Sequence, residues 1–482
     1  MLSVSPFLPK LVRLGTRASL AAAFVLGLAF LGMAAGHATE TYGPLKVGWL
    51  AAAAIGGLWA GTNVPKAVAV LVFSSAIVFK TKVALGIEVH TTHLLLALLV
   101  LQLLQQFETI RLPRSFFLGI SAMILGAIVA SVAGPDLGGS LFRGFGGLLL
   151  PMVALLAAST MSRTSDLERL LLALGAAVFV EGFIALMQLT GHAFGPFAPI
   201  ESGRVNGLFL HPNILGGYLA AGTVLLLGVA VHVWSRSRVY ALLLVVAMAF
   251  GLMGVAATLS RGSLIALAAG VSVLLLLTAG GKESWLLVLL LAAAVAIAIP
   301  RIPQTERQEF QVRVQQLFQP GAETGRKLIY KQAFSAIRSH PVTGVGPLTF
   351  GKTVRDTGTL PGLEPGLEHA HNIVLEGLLS IGPLGLLGFL VLVVAAAGRC
   401  FRVRRISTQP ILTGFATGTL AALTAFLVSG MFDFLLWQVE VMVLLLVLIG
   451  TTVALERVAN ADQRFDEASS WTTSRPRVGR LV

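Results

Sequence analysis

The chain has 482 residues, of which 56% are hydrophobic and only 12% are charged, with a mean hydropathy of +0.85. Soluble globular proteins carry about 25% charged residues, so this composition excludes a soluble enzyme and predicts a polytopic membrane protein. The net charge of +13 does not indicate nucleic-acid binding, because membrane proteins concentrate Lys and Arg in their cytoplasmic loops.

Apolar runs that reach the length needed to cross a bilayer recur along the whole chain. They lie at 18–36, 115–134, 167–189, 215–234, 240–259, 262–279, 285–299, 373–397, 411–431 and 435–455. Shorter runs lie at 47–60, 67–79, 94–104 and 144–158. A helix needs about 20 apolar residues to span a membrane, so we predict an all-α polytopic membrane protein with about 12 to 14 transmembrane helices.

Basic residues mark the connections between these runs and predict the orientation. They are Lys10, Arg13, Arg17, Arg111, Arg114, Arg163, Arg169, Arg236, Arg238, Arg399, Arg402, Arg404 and Arg405. If these connections are cytoplasmic, alternating spans place 200–212, the Ser260-Arg261 turn and 301–370 outside, with both termini cytoplasmic. The run at 18–36 is expected to be an uncleaved first span.

Cys400 is the single cysteine, so no intrachain disulfide can form.

Four segments follow from the changes in composition. We expect transmembrane helices over 1–300, an external loop over 301–370, further transmembrane helices over 371–458 and a disordered cytoplasmic tail over 459–482. The loop is polar and too long for a simple connector. Apolar residues at helical spacing predict amphipathic helices at 306–318 and 327–339, which could lie along the outer membrane surface, and Pro341 stops the second.

Three polar segments interrupt the apolar pattern on the predicted external face, at 203–213, 259–263 and 369–372. The first contains Arg204 and the second contains Arg261. A lone arginine most often caps a helix or reaches toward lipid headgroups. Two arginines and a histidine on one face instead predict a site for an anionic lipid headgroup, because guanidinium groups bind phosphate oxygens through a planar fork of donors.

His371 is the candidate general base. The ordinary pKa of a histidine lies near 6.5, which suits removal of a proton from an attacking hydroxyl. The alternative is a structural histidine beside a helix cap. His369 is less favoured because, two residues earlier in the chain, its side chain is expected to point differently, and Glu368 either orients a ring or is solvated. We find no closely spaced Asp pair, HExxH motif or Cys/His ligand spacing, so no metal is predicted, and no GxSxG or P-loop motif.

These segments resemble the O-antigen ligase/polymerase family of bacterial envelope glycosyltransferases. The resemblance rests on 204–218, on 260–263, on the His-Pro-Val-Thr-Gly-Val-Gly segment at 340–346, and most on His371-Asn372 followed after nine residues by Gly-Pro-Leu-Gly at 382–385. It covers about 204–385 and, by the layout of the spans, most of the chain. The order of the motifs around a long loop is more specific than any one motif.

The resemblance implies about 12 transmembrane helices and an active site on the periplasmic side of the bacterial inner (cytoplasmic) membrane. It implies that glycan leaves an undecaprenyl pyrophosphate carrier and is joined to a sugar hydroxyl of the lipid A core, with membrane lipids around the protein and with no metal or other cofactor. By this likeness Arg204 and Arg261 bind the donor pyrophosphate, and His371 activates the acceptor in an inverting displacement.

The resemblance and the sequence context predict further substrate contacts at Arg326, Arg143, Asn372 and His369. Arg326 lies where relatives often have a basic residue, and Arg143 precedes another span. The glycines from Gly382 to Gly388 are expected to allow close helix packing rather than to touch substrate.

Two other readings remain open at this point. An O-antigen polymerase or a protein O-oligosaccharyltransferase would use a similar donor, although the His-Asn-glycine pattern and the lack of an extended external C-terminal domain favour a ligase. A transporter or flippase would also have about 12 spans. Glu181 and Gln188 inside one span are the best support for transport, but the polar groups cluster at one surface and no duplicated halves are visible.

Overall fold

The computed structural model describes residues 56–76, 80–82, 88–106, 110–190, 204–278, 324–356, 369–433 and 437–473, together with residues 289, 308, 312 and 435. The predicted spans at 18–36 and 285–299, Glu368 and most of the predicted helix at 306–318 lie outside these residues.

The described chain is almost entirely helical. Its N-terminal half contains α1 (Val64–Ala76), α2 (Thr91–Gln105), α3 (Arg114–Ala133), α4 (Leu137–Gly144), α5 (Leu150–Ser159), α6 (Thr164–Leu189) and α7 (Pro212–Val233). Then follow α8 (Arg238–Ala257), α9 (Arg261–Leu277), α10 (Thr324–Ser339), α11 (Phe350–Asp356), α12 (Ile373–Ile406), α13 (Pro410–Gly430) and α14 (Val439–Thr473). A π-helical turn, Phe145–Leu149, joins α4 to α5.

The all-α membrane architecture is confirmed. Within the described residues, eight helical stretches are long and apolar enough to span a bilayer, and α1, α2 and α9 are shorter apolar helices. The exception to the helical pattern is a small antiparallel hairpin of β1 (Lys80–Lys82) and β2 (Glu88–His90), in which Lys80 pairs with His90. The total of about 12 spans stays a prediction.

Helix α7 lies at the centre of the bundle and is buried along almost its whole length. It packs against α8, α9 and α13. Small residues permit the closest approaches, as they do in many membrane helix pairs. A side chain at Gly228 would meet the backbone of Gly418 on α13, and one at Gly388 on α12 would meet the backbone of Gly119 on α3. The predicted packing role of the glycines around Gly388 is consistent with this contact.

Helix α12 is kinked at Gly382, whose φ of 65° and ψ of 177° are not helical. Pro383 follows and has no N–H to continue the helix, which leaves the carbonyl of Leu379 without its usual partner. Val345 N and Gly346 N donate to that carbonyl at 2.6 and 3.1 Å. The 340–346 segment therefore docks on the kink and fixes the loop against the bundle.

Two predictions about the polar segments are tested by these helices. The predicted amphipathic helix at 327–339 is present as α10, which ends at Ser339, before Pro341. The predicted disordered tail at 459–482 is wrong in its first part, because α14 continues to Thr473. Helical order persists there because the polar end of α14 extends an uninterrupted transmembrane helix, and elongation of an existing helix is much easier than nucleation.

The basic connections gather at one end of the bundle. There, Arg404 Nη2 donates to the carbonyl of Leu277, and Arg457 Nη1 donates to the carbonyls of Ser159 and Met161. The segments that contain Arg204, Arg261 and His371 lie at the opposite end, where α7, α9 and α12 begin. The basic connections and the polar segments therefore lie at opposite ends of the bundle, as their alternation along the sequence predicts.

Candidate active site

A cavity of about 110 Å³ lies at the end of the bundle opposite the basic connections. Three of the predicted arginines line it: Arg204, Arg261 and Arg326. The other lining residues are Asn213, Leu259, Ser260, Gly262, Ser429, Phe432 and Asp433. Because liquid water occupies about 30 Å³ per molecule, the cavity has room for more than a single solvent molecule. The structure therefore brings three distant cationic side chains into one pocket.

Two helix N-termini meet the same cavity. Ser260 caps α9 by accepting a hydrogen bond from Ser263 N, and Arg261 is the first residue of that helix. His211 caps α7, where its Nδ1 accepts from Asn213 N at 3.2 Å. The amide groups at a helix N-terminus carry partial positive charge and favour anions. Together with the guanidinium groups they make this an anion-binding environment.

Arg204 is held in place by two hydrogen bonds. Its Nε donates to the carbonyl of Thr258, and its Nη2 donates to Asn213 Oδ1, both at 3.0 Å. Thr258 lies just before the turn that carries Arg261. The two arginines predicted to bind the donor are thereby linked through one short stretch of backbone.

The loop that carries Arg204 is anchored from α6. Gln188 Nε2 donates to the carbonyl of Gly207, and Gln188 Oε1 accepts from the backbone N–H groups of Asn206 and Gly207. Glu181 Oε2 accepts from Leu208 N at 3.1 Å. Glu181 and Gln188, the polar pair inside α6, therefore anchor this loop. This structural role explains the two residues that had given the best support for a transporter.

His371 is paired with a residue that the sequence analysis did not select. Its Nδ1 lies 3.0 Å from Asp433 Oδ1, and Asp433 Oδ2 accepts from Asn213 Nδ2 at 2.7 Å. Since Asn213 also accepts from Arg204, a continuous hydrogen-bonded chain joins Arg204 to His371. The chain runs through residues from three separate parts of the sequence.

The ionisation of Asp433 determines what this pairing does to His371. Burial opposes the charge on Asp433, but hydrogen bonds from His369, His371 and Asn213 hold the pKa of that carboxyl well below its usual value. An ionised carboxylate only accepts hydrogen bonds. When His371 is neutral, its proton therefore resides on Nδ1 and Nε2 keeps an available lone pair, which is the state a general base needs.

His369 lies beside this pair and completes a possible metal-ligand set. Its Nε2 is 3.7 Å from Asp433 Oδ1, and its ring centroid is 4.2 Å from that of His371. One ligand atom from each of His369, His371 and Asp433 falls within 4.8 Å of the others. Two imidazoles and a carboxylate suit Zn²⁺. No ligand spacing marks this set in the sequence, because Asp433 follows His371 by 62 residues, and metal independence stays a prediction.

The segment 369–372 is fixed by two buried side chains. Asn372 caps α12: its Oδ1 accepts from Val374 N and Leu375 N, and its Nδ2 donates to the carbonyl of Met431. Glu376, which is fully buried, accepts from Ala370 N at 2.8 Å. Asn372, a predicted substrate contact, thus has its polar atoms engaged in a structural role.

Arg143 is a predicted site residue that does not line the cavity. His369, His371 and Asn372 do not line it either, although His369 and His371 contact Asp433, which does. Its Nη2 lies 2.8 Å from Asp136 Oδ2, and its Nε donates to the carbonyl of Pro347. It ties α4 to the loop that docks on α12. The structure therefore gives Arg143 protein partners and no position beside the other arginines.

Asp433 and Asn213 are the residues that sequence reasoning missed. Asp433 lies in a short connection between α13 and α14. An acidic residue between two membrane spans is energetically costly, and this could have marked Asp433 as a candidate functional residue. Asn213 stood within the recognised 203–213 segment, but nothing in its spacing indicated that it would bridge Arg204 and Asp433.

Comparison with known proteins agrees with this geometry. Residues 246–390 match the family model described as O-antigen ligase. The matched region includes Arg261, Arg326 and His371, and it ends just after the kink of α12. No curated protein matches the sequence. The family match covers less than a third of the chain, and together with the membrane architecture and the cluster of predicted residues it supports the resemblance to the O-antigen ligase/polymerase family.

Proposed function

We propose that this protein is an O-antigen ligase, which transfers a glycan from an undecaprenyl pyrophosphate carrier to a sugar hydroxyl of the lipid A core. Members of the family are membrane glycosyltransferases. The observation that carries the proposal is the cavity that Arg204, Arg261 and Arg326 line together with Asp433, the carboxylate that pairs with His371. We place this cavity on the periplasmic side of the bacterial inner membrane.

The arginines bind the diphosphate of the donor. A diphosphate carries several anionic oxygens, and guanidinium groups are suited to hold such oxygens by paired hydrogen bonds. As the bond between the anomeric carbon and the phosphate oxygen breaks, the electron pair stays on that oxygen. The same arginines and the N-termini of α7 and α9 stabilise the developing charge.

His371 activates the acceptor. Its Nε2 takes the proton of the attacking hydroxyl while the acceptor oxygen forms a bond to the anomeric carbon, opposite the departing diphosphate. The linkage at that carbon inverts in this single displacement. Asp433 stabilises the imidazolium that results, as a buried carboxylate does in other His-Asp pairs, and His371 then returns its proton to solvent.

The proposal predicts that purified protein, reconstituted with undecaprenyl-pyrophosphoryl glycan and rough lipopolysaccharide, transfers glycan in the presence of a chelator. His371→Ala should lower the rate at least about 100-fold, the usual contribution of a general base. Arg261→Lys should lower it about tenfold, because a single ammonium does not replace the guanidinium fork. Insertion and thermal unfolding of both variants should remain like those of the parent.

Two results would contradict this mechanism, and a third would contradict the assignment as a ligase. Glycan transfer by His371→Ala at the parent rate would show that His371 is not the general base. Loss of parent activity in chelator, restored by Zn²⁺, would assign His369, His371 and Asp433 to a metal site instead. Formation of longer glycan on the carrier, with none on lipid A, would indicate a polymerase.

A further inference from the structure

A second cavity lies on the outer wall of the bundle, at the end opposite the candidate active site. Its volume is about 560 Å³, and α12 supplies most of its lining, with contributions from α3 and α14. Leu387, Leu390, Val394 and Gly398 form its apolar floor. They follow one another at helical spacing, so they lie along one stripe of α12. We call this feature the lateral groove.

The lateral groove has the dimensions of one membrane leaflet. From Leu387 to Arg402 the helix rises about 22 Å, at 1.5 Å per residue. One leaflet contributes about 15 Å of hydrocarbon, followed by the headgroup region. Leu387 and Val394 are 58% and 69% exposed, so the floor faces the hydrocarbon. In this setting an extended acyl chain can occupy the groove while remaining in the bilayer.

A compact ionic network closes the polar end of the groove. Arg399 Nε lies 3.1 Å from Glu456 Oε2, and Arg402 Nη1 lies 2.7 Å from Glu456 Oε1. Two guanidinium groups share one carboxylate, which leaves an excess of one positive charge. The Arg399 side chain is nearly buried and lies over the ring of Phe116 at 4.7 Å, whereas that of Arg402 is 67% exposed. Arg402 therefore presents the excess charge at the depth of the headgroups.

We propose that the lateral groove binds an anionic glycerophospholipid, with one acyl chain on the apolar floor and the phosphate on Arg402. The apolar floor and the cationic end occur in the order in which a phospholipid presents its chain and its phosphate. A second copy of the chain is a poorer occupant, because a two-fold symmetric contact through this surface would oppose like charges. The proposal does not depend on the reaction catalysed at the other end of the molecule.

The test is a lipid competition on the full-length protein in detergent. Native mass spectrometry would measure the retention of phosphatidylglycerol and phosphatidylcholine with identical acyl chains, added in equal amounts. The parent protein should retain phosphatidylglycerol preferentially. Arg402→Gln should lower this preference about fivefold. One basic residue near an anionic lipid contributes about 1 kcal/mol, which corresponds to about a fivefold change in affinity. Arg405→Gln is the matched control, because Arg405 is exposed at the same end of α12 but does not line the groove.

A second variant tests the floor of the groove. A Cβ atom at Gly398 would meet no atom within 4 Å, and Gly398 lines the groove, so Gly398→Phe should fold and place its ring in the groove. It should reduce retention of both lipids, whereas Leu384→Phe, at an exposed position of α12 outside the groove, should not. Equal retention of the two lipids by the parent would overturn the proposal. So would equal effects of Arg402→Gln and Arg405→Gln, or a dimer that carries no lipid.

Discussion

His371 has a backbone φ of 49°, a left-handed conformation that is uncommon for a residue with a side chain. Such a conformation costs about 1–3 kcal/mol and persists where the surrounding structure enforces it. Here Glu376 accepts from Ala370 N on one side, and the Asn372 cap fixes the other. Leu259, next to Ser260 and Arg261, also has a positive φ, of 51°. Both strained residues border segments that carry proposed catalytic groups.

Asp433→Asn should lower glycan transfer by about 100-fold or more. The amide removes the charge that stabilises an imidazolium and no longer requires the proton to stay on Nδ1 of His371. Single-turnover rates of transfer would measure the loss. Asp136→Asn is a matched control, because Asp136 pairs with Arg143 and not with His371. Equal rates in the two variants would contradict the role given to Asp433.

His211 predicts a loss of stability at mildly acid pH. Burial lowers the pKa of His211 from its ordinary value of 6.5, and the nearby Arg204 acts in the same direction. The unfolded chain therefore binds a proton at a higher pH than the folded chain, and stability is lost as the pH falls below 6.5 toward the folded pKa. Protonation of Nδ1 also removes the cap of α7, which is worth about 1 kcal/mol.

His211→Asn should keep the cap and remove this pH dependence. Thermal unfolding in detergent between neutral and mildly acid pH would compare the two proteins, with the parent losing more stability on acidification. Ser237→Asn is the control: Ser237 caps α8 by accepting from Tyr240 N and does not titrate, so this variant should keep the pH dependence of the parent. Parallel pH profiles for the parent and His211→Asn would contradict the assignment.

At the scale of elements, the candidate active site depends on how helices position the loops between them. The loop before α7 turns at Gly207, whose φ is 57° and whose missing side chain leaves space for Glu181. The 340–346 segment rests on the kink at Gly382, and α10 packs against α12. Sequence spacing predicted α10 and most of the spans. It did not predict the kink, because Gly-Pro in a membrane helix is compatible with a straight, bent or broken course.

Gln188→Leu should detach the loop that holds Arg204. It leaves the buried N–H of Gly207 and its carbonyl without partners, at a cost of about 1–3 kcal/mol for each such group. We expect a lower unfolding temperature and, in addition, weaker binding of undecaprenyl-pyrophosphoryl glycan. Gln102→Leu is the matched control, since Gln102 is also buried and donates to the carbonyl of Ala60, away from the cavity. Equal weakening of glycan binding by both variants would argue against the anchor.

At the scale of the whole molecule, the two ends of the bundle differ in charge and in the cavities that they carry. One end carries the basic connections and the lateral groove, and the other carries the cavity. The positive-inside tendency predicts that the basic end faces the cytoplasm. Donor and acceptor glycans would then meet on the periplasmic side.

This orientation can be tested with single cysteines in a Cys400→Ala background, since Cys400 is the only cysteine of the chain. Val342→Cys, at a residue 75% exposed on the cavity side, should react with a membrane-impermeant maleimide added outside intact spheroplasts. Ser235→Cys, in the exposed connection between α7 and α8, should react only after permeabilisation. The reverse labelling pattern would invert the topology and contradict a periplasmic active site.

Composition and the length of the apolar runs by themselves determined that this chain is a bundle of membrane helices, because a helix needs about 20 consecutive apolar residues to cross a bilayer, whereas a barrel strand is about half as long and alternates in hydrophobicity. Sequence also identified Arg204, Arg261 and His371, because charged groups beside apolar spans are costly and therefore conspicuous. Only the tertiary structure decided their partners. Asp433 meets Asn213 across 220 residues and His371 across 62. Helical periodicity encodes which face of a helix is apolar, but which helices meet depends on small residues and bends that bring distant segments together.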